Sequence, residues 1–286
     1  MRWGCSGPNM MNVPKGKWKP DPKNPGEMIE LLPNMRDIFK ARAGCWLVGA
    51  DYSQGELRCI ALQTGARKLL DWYEEGRDVH SENTKALFQR DDFTPAMRTL
   101  TKNFVFNANY LGTAETIHGL LIGDFPQIKL QQVEALMRQW FSTHAEIPRW
   151  HRKVLLHAEK HGFVEEPFSG VRHYFYDGRV VPTEAVNMPV QTMMAWLINE
   201  ALEKIDQGLD WLTEGVFAQI HDELILEGPD PLKLCRLLQD NMQRRLTLGG
   251  DECDFTIDYK IGRNLGRMKG ADTLEDVERL LDTWND

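Results

Sequence analysis

AQIHDELILEG, residues 218–228, sets three ionisable side chains, His221, Asp222 and Glu223, in the middle of an apolar run. Aliphatic residues dominate on both sides and Gly215 and Gly228 punctuate the ends, so Val216–Ile220 and Leu224–Leu226 are predicted to be short strands joined by a tight turn. Turn tips usually hold Gly, Asn or Asp, which tolerate the backbone. Three ionisable residues without a glycine leave two readings. One is a solvated turn, the ordinary fate of surface carboxylates; the other is a hairpin that presents acid to a ligand.

A second acid is placed in the same way. The run CWLVGA, residues 45–50, reads as a buried strand and ends on Asp51. If its strand neighbours the hairpin in one sheet, Asp51 and Asp222 converge. Paired carboxylates on rigid strands suit two divalent cations about 3.5–4 Å apart, which can activate an attacking oxygen and stabilise a leaving one. Hard oxygen donors with retained waters point to Mg²⁺.

Residues 94–110 supply a cationic counterpart. Thr94 as cap and Pro95 at the first position mark a helix start. Arg98, Lys102, Phe106 and Tyr110 then recur every fourth residue, and at about 3.6 residues per turn they follow one slowly winding stripe. That order suits a nucleoside triphosphate, with phosphates on the cations and a base near the aromatics. A helix with a solvated cationic end and a core-facing aromatic end explains the same stripe.

Around these features, residues 1–34 read as an irregular arm with short strands at most. Helices are predicted over 54–71, 78–90, 127–161 with an interruption near Pro148, 183–207, 231–246 and 273–284. VRHYFYDGRVV, residues 171–181, reads as a hairpin turning at Asp177-Gly178, and CDFTIDYKI, residues 253–261, as a strand. Strands and helices do not alternate regularly, so the expected class is α+β rather than a doubly wound sheet.

Composition narrows the class of protein. With 42% hydrophobic and 27% charged residues in 286, the chain is globular and long enough for one large or two smaller domains. No run of 18 apolar residues and no apolar N-terminal segment occurs, so no membrane partner and a cytoplasmic location are expected. The five cysteines are odd in number, scattered and free of Cys-x-x-Cys pairs, which argues against a disulfide framework or structural zinc. A net charge of −8 disfavours duplex binding by the surface as a whole. Positive charge is dense only in residues 15–23, 149–153 and 262–270. His157 and His161, four apart, lack a third metal ligand and read as a solvated helix face. Met188, Met193 and Met194 with Trp196 read as core.

Here the residues carry a resemblance. DYSQGELR (51–58), RTLTKNFVFNANYLG (98–112) and QIHDE (219–223) resemble the three polymerase motifs of family A DNA polymerases, the group of bacterial DNA polymerase I and many phage replicative enzymes. RWGCSGPNMMNVP (2–14) resembles the Arg-led segment at the start of the palm, and NMPVQ (187–191) the segment that meets the primer-template minor groove. The resemblance implies an α+β right-hand fold, a palm of antiparallel sheet with helical fingers, and template-directed DNA synthesis. Residues 1–60 would be the first part of the palm, 61–180 mainly fingers, and 181–286 the second part of the palm.

Site roles implied by the resemblance follow position by position. Asp51 and Asp222 match the metal-binding aspartates for two Mg²⁺ ions, with Mn²⁺ able to substitute; the Tyr52 carbonyl is a further ligand and Glu223 a supporting acid. Arg98, Lys102 and His80 match triphosphate contacts, Lys102 also serving catalysis. Phe106 matches the position reading the sugar's 3′ side, Tyr110 the one shielding the template, and Glu56 the gate against a 2′-hydroxyl; Gln54 joins the nucleotide site. Arg2, Asn9, Asn12, Arg58, Gln191 and His221 match DNA contacts. Three residues depart from the pattern: Gly55 for an aliphatic residue, Leu111 between Tyr110 and Gly112, and Thr192 for a glycine. Thumb and exonuclease domains are expected to be absent, a second polypeptide supplying the thumb as in a split phage polymerase. A single-subunit RNA polymerase, against which Glu56 argues, and a non-catalytic DNA-binding or assembly subunit are the alternatives.

Overall fold

A computed structural model describes residues 13–21, 23–24, 28–176 and 178–284. They form mixed helix and antiparallel sheet in two units. One holds the described residues up to Ser53 together with Ala195–Arg244 and those from Phe255 onward; the other holds Gln54–Met194 and Arg245–Asp254. Arg2, Asn9 and Asn12 lie outside the described residues. No described helix is long and apolar enough to cross a membrane.

In the first unit, β1 (Lys17–Pro20) and β2 (Met28–Leu32) form an antiparallel pair. The main sheet centres on β3 (Trp46–Tyr52), which pairs on one side with β7 (Glu223–Gly228) and on the other with β10 (Ile257–Gly262). The outer strands are β6 (Gly215–Ile220) beside β7 and β11 (Lys269–Ala271) beside β10, every pairing antiparallel. Strand alternation sorts the side chains onto two faces. Val48, Ala50, Tyr52, Leu224, Leu226, Tyr259 and Ile261 are all buried. Their side of the sheet packs on α9 (Pro231–Met242), whose Leu234, Leu238 and Met242 are fully buried. Each such aliphatic side chain contributes about 1.5–3 kcal/mol of burial. Tyr52 and Tyr259 settle their phenols on this side, donating to the Met242 carbonyl at 3.0 Å and to Gln239 Oε1 at 3.2 Å. The other face carries Leu47, Gly49 and Asp51 of β3, Glu223 and Ile225 of β7, and Asp258 and Lys260 of β10. On that face Leu47, Ile220 and Ile225 also cluster, Ile220 standing on the outer strand opposite Glu223.

The second unit is mostly helical: α1 (Gly55–Thr64), α2 (Arg67–Glu74), α3 (Val79–Phe88), α4 (Pro95–Asn109), α5 (Ala114–Leu121), α6 (Leu130–Thr143), α7 (Glu146–His161) and residues 182–194 of α8 (Pro182–Gly208). The pair β4 (Phe163–Glu165) and β5 (Arg172–Tyr174) follows α7, and most of the pair β8 (Arg244–Leu248) and β9 (Asp251–Phe255) belongs here too. Helix α4 starts as expected, the Thr94 hydroxyl accepting from the Met97 amide with Pro95 in the first turn.

Several expectations need correction. The region 54–71 is two helices, because Gly65 takes the left-handed conformation (φ 65°) that ends α1. The break in 127–161 falls at His144 and Ala145; Pro148 sits in the first turn of α7, where its missing N–H costs nothing. Of the predicted turn residues Asp177 and Gly178, Asp177 lies outside the described residues; β5 pairs backward with β4, Val164 opposite His173, and the turn between them is held by Glu166, which accepts from the amides of Phe168 and Ser169. The predicted helix 231–246 stops at Met242, and its tail joins β8. CDFTIDYKI is two strands separated at Thr256.

Three histidines are held neutral inside the helical unit. His144 is fully buried against Trp72 and Trp140 with neither ring nitrogen hydrogen-bonded, and burial, then Lys68, pushes its pKa down to about 3. Burial also lowers His151, which pairs with the Asn109 carbonyl at 2.8 Å, and His80. A histidine whose folded pKa is depressed binds more protons when unfolded, so stability falls as pH drops from about 6.5 toward 4. The melting temperature is expected to decline by several degrees between pH 7 and pH 5, and His144→Leu to flatten that decline, as read by thermal melts across the range.

Candidate functional site

The β3–β7 register sets Asp51 directly opposite Glu223, and the Ile220–Glu223 pair leaves His221 and Asp222 as a two-residue tip. His221 takes φ 59°, a left-handed conformation in which Gly, Asn, Asp and His are the residues usually found. On the far side of β3, Asp258 lies opposite Asp51, and Lys260 opposite Gly49. The Lys260 ammonium reaches across to Glu223 Oε1 at 3.0 Å and lies 3.7 Å from Asp51 Oδ2. Gly49 makes the room: a β-carbon there would stand 3.1 Å from Glu223 Oε1.

Electrostatics show how crowded the acids are. Burial, then the Asp222 charge, raises the Asp51 carboxyl to about 6; Lys260 pulls against this, while Glu223 and Asp258 add to it. A carboxyl with a raised folded pKa makes a stabilising contribution that is present below its ordinary range and lost as pH rises through about 6. Lys260 is held above the usual lysine range because Glu223 and Asp51 outweigh the burial that works against it. The donors are carboxylate oxygens from strand ends and the adjoining turn, with Lys260 a cation held among the acids. Among the described residues no three His, Cys, Asp or Glu side chains gather into a complete metal cage. An open carboxylate pair fits Mg²⁺, which keeps several waters and takes one or two carboxylates together with substrate phosphates. Tyr52 pairs with Ile257 at the end of β3 and buries its ring on the opposite face.

The helical unit gathers the nucleotide candidates. Asp78 caps α3, accepting from the His80 amide at 3.3 Å, and receives Arg98 through Nε and Nη2, the shortest contact being 2.9 Å. Burial, then Lys102 and Arg98, lowers His80 to about 4 against the opposing pull of Asp78, and its Nδ1 is buried without a partner. The two cations of α4 are thus accompanied by a neutral imidazole from α3. Phe106 is half exposed and meets the Tyr110 ring edge-on at 5.2 Å.

Residues from three separate segments meet at Glu56. Its Oε1 accepts from Gln191 Nε2 at 2.5 Å and its Oε2 from the Tyr110 phenol at 3.3 Å. Burial, then the Glu56 charge, holds that phenol well above its ordinary range. Gln54, at φ 54° ahead of α1, accepts from the Tyr73 phenol at 3.3 Å. Arg58, expected on DNA, is instead buried; its guanidinium donates to the Asp254 carbonyl and lies 4.1 Å from the centre of the Tyr73 ring. Leu111 occupies the left-handed position (φ 62°) after α4, and Gly112 bonds back to the Asn107 carbonyl. A leucine therefore stands where glycine is normally required, and Gly112 lies so close to Asn107 that a β-carbon would meet its carbonyl oxygen at 2.8 Å. Thr192 is buried.

Sequence reading did not find Lys260, Asp78 or Gly49. The signals were present: a glycine inside a strand marks close approach, and Asp258 and Lys260 alternate on one face of a strand interior. Asp78 is a helix cap whose second duty to Arg98 appears only in space.

The sheet with its paired acids and the helical unit with its cationic stripe have the fold of a polymerase domain. The POL domain of Pol1 from M. smegmatis, solved with DNA primer-template and dNTP, superposes with a TM-score of 0.74 at 23% identity over 91% of this chain and 45% of that one. The family model for DNA polymerase family A matches residues 2–267, and the chain belongs to that family. Thermostable DNA polymerase I of Thermus aquaticus is 32% identical over 238 residues, covering 80% of this chain and 26% of the relative. DNA polymerase I of Bacillus caldotenax is 25% identical over 91% of the chain and 29% of its own length. The chain thus spans about a quarter of the curated relatives it matches.

In metal-free solution the Asp51 carboxyl is expected to titrate near pH 6, and Asp222→Asn to bring it down toward the ordinary range, as followed by carboxyl carbon NMR. A normal Asp51 titration in the unsubstituted chain would show that the acids do not converge.

Proposed function

We propose that the chain carries out template-directed DNA synthesis, adding deoxynucleotides to a primer 3′ end. The observation that carries this reading is the register pairing of Asp51 with Glu223, with Asp222 at the adjoining tip, in a member of DNA polymerase family A. Asp51, Asp222 and the Tyr52 carbonyl would hold two Mg²⁺ ions, or Mn²⁺ in their place, and Glu223 would support them. When bound, the ions supply the charge that favours attack of the primer 3′-hydroxyl on the α-phosphate and departure of pyrophosphate.

The chain's own residues position and discriminate. Arg98 and Lys102 bind the triphosphate, Arg98 being held ready by Asp78, and Lys102 offsets charge developing on the leaving group. A bound phosphate supplies the partner that His80 Nδ1 lacks and draws its pKa back up. Glu56, braced by Tyr110 and Gln191, excludes a ribose 2′-hydroxyl; Phe106 reads the 3′ side of the sugar, and Gln54 joins this site. Gln191 and His221, with Arg2, Asn9 and Asn12, contact primer-template. The sheet unit serves as palm and the helical unit as fingers. A second polypeptide bearing a thumb, with or without an exonuclease, and a cytoplasmic setting, a phage-infected host included, belong to the same proposal and rest on the resemblance.

With Mg²⁺, deoxynucleotides and a primed DNA template, the purified chain is expected to extend a labelled primer. Asp222→Asn should abolish extension while leaving DNA retention in a gel-shift assay nearly unchanged; extension at an undiminished rate would refute the metal-binding role. Glu56→Ala is expected to raise ribonucleotide incorporation relative to deoxynucleotide by tenfold or more, read as the ratio of kcat/KM values in single-nucleotide extension.

A further inference from the structure

We infer that Lys260 is a built-in counter-cation of the acidic cluster, occupying with its ammonium part of the negative field that a divalent metal would otherwise fill, so that it opposes metal binding until a metal or substrate displaces it. This rests on the proposed metal-holding role of Asp51 and Asp222. Three observations carry it. The ammonium bonds Glu223 Oε1 at 3.0 Å and lies 3.7 Å from Asp51 Oδ2, so one cation spans acids from both strands. Its strand position is set by the sheet, Lys260 lying in register with Gly49, and the missing side chain of Gly49 leaves the space in which Lys260 and Glu223 meet. Glu223 itself is only 11% exposed, too enclosed for water alone to solvate its charge.

A carboxylate cluster without any cation is costly, because like charges a few ångströms apart repel strongly where water is partly excluded. A fixed ammonium lowers that cost in the metal-free chain. The same positive charge repels an arriving divalent ion and competes for its ligands. Retreat is not free either, since Arg36 lies close enough to act on the Lys260 ammonium as a like charge, and Lys15 and Arg36 line the same recess of about 310 Å³. Lys260 is thus a positioning residue that tunes metal occupancy without being a ligand, and it adds stability to the empty cluster at the expense of metal affinity.

The test is Mn²⁺ binding to the full chain in the absence of nucleotide, measured by electron paramagnetic resonance for the unsubstituted chain, Lys260→Met, Lys260→Arg and Lys269→Met. Lys269 lies on the neighbouring strand against Trp284 and controls for the loss of one positive charge. Lys260→Met should bind Mn²⁺ at least about tenfold more tightly, the size expected for removing a unit charge beside a divalent ion in partly solvated surroundings. Lys260→Arg and Lys269→Met should stay near the unsubstituted value. In thermal melts Lys260→Met should be less stable in EDTA and gain more from added Mn²⁺. Unchanged or weaker Mn²⁺ binding by Lys260→Met overturns the inference while leaving the metal site standing, and no Mn²⁺ binding by any chain overturns both. Should Lys260→Met fail to fold, the unsubstituted chain still decides: on Mg²⁺ titration the Lys260 ε-methylene NMR signals must move with the same midpoint as the Asp51 carboxyl, and a stationary signal overturns the inference.

Discussion

The pairing of β3 with β7 is the constraint on which the chemistry of the sheet unit depends. A β-ladder permits only discrete registers, and a slip of one residue turns every side chain to the other face. In the register observed, Val48, Ala50, Leu224 and Leu226 all bury against α9. The same register sets Asp51 against Glu223. Hydrophobic burial on one face thereby holds mutually repelling carboxylates together on the other, and the cost appears in the raised Asp51 carboxyl. Lys260, brought in by β10, returns part of it.

The helical unit solves a related problem with hydrogen bonds. Arg98 is a long side chain with many rotamers, and Asp78 fixes it by accepting from its Nε and Nη2 while also capping α3. Glu56 is fixed from two directions by Gln191 and Tyr110. In both cases a charged group is oriented before any ligand arrives, which reduces the ordering that binding would otherwise demand. His80 is the converse: a polar group kept neutral by neighbouring cations and burial, with one nitrogen left unpartnered.

Much of this was legible in the residues. The hairpin at 218–228, the strand ending near Asp51, the start of α4 and the α+β class all follow from local pattern, because strand alternation, a Thr-Pro helix start and aliphatic runs act over a few residues. Other features follow from packing that local pattern does not specify. Arg58 lies in a motif segment and is charged, yet it packs beneath Tyr73 and bonds to Asp254, a partner 196 positions away. The chain does turn at Gly178, whose amide bonds the Phe175 carbonyl, but β5 finds its partner in β4, across a turn that Glu166 organises. Leu111, a departure from the motif pattern, follows α4 in a left-handed conformation that favours glycine.

By itself the sequence determined the element types around the acids, the stripe from Arg98 to Tyr110 and, through five motif segments in order, the family. These are properties of local periodicity and of residue identity at short spacing. Only the tertiary structure decided which acids face one another, that Lys260 sits among them, that Glu56 is braced by two distant residues and that Arg58 is withdrawn from the surface. Each of those depends on register and packing between segments tens to hundreds of residues apart, and no local pattern encodes which partner a charged side chain will find there.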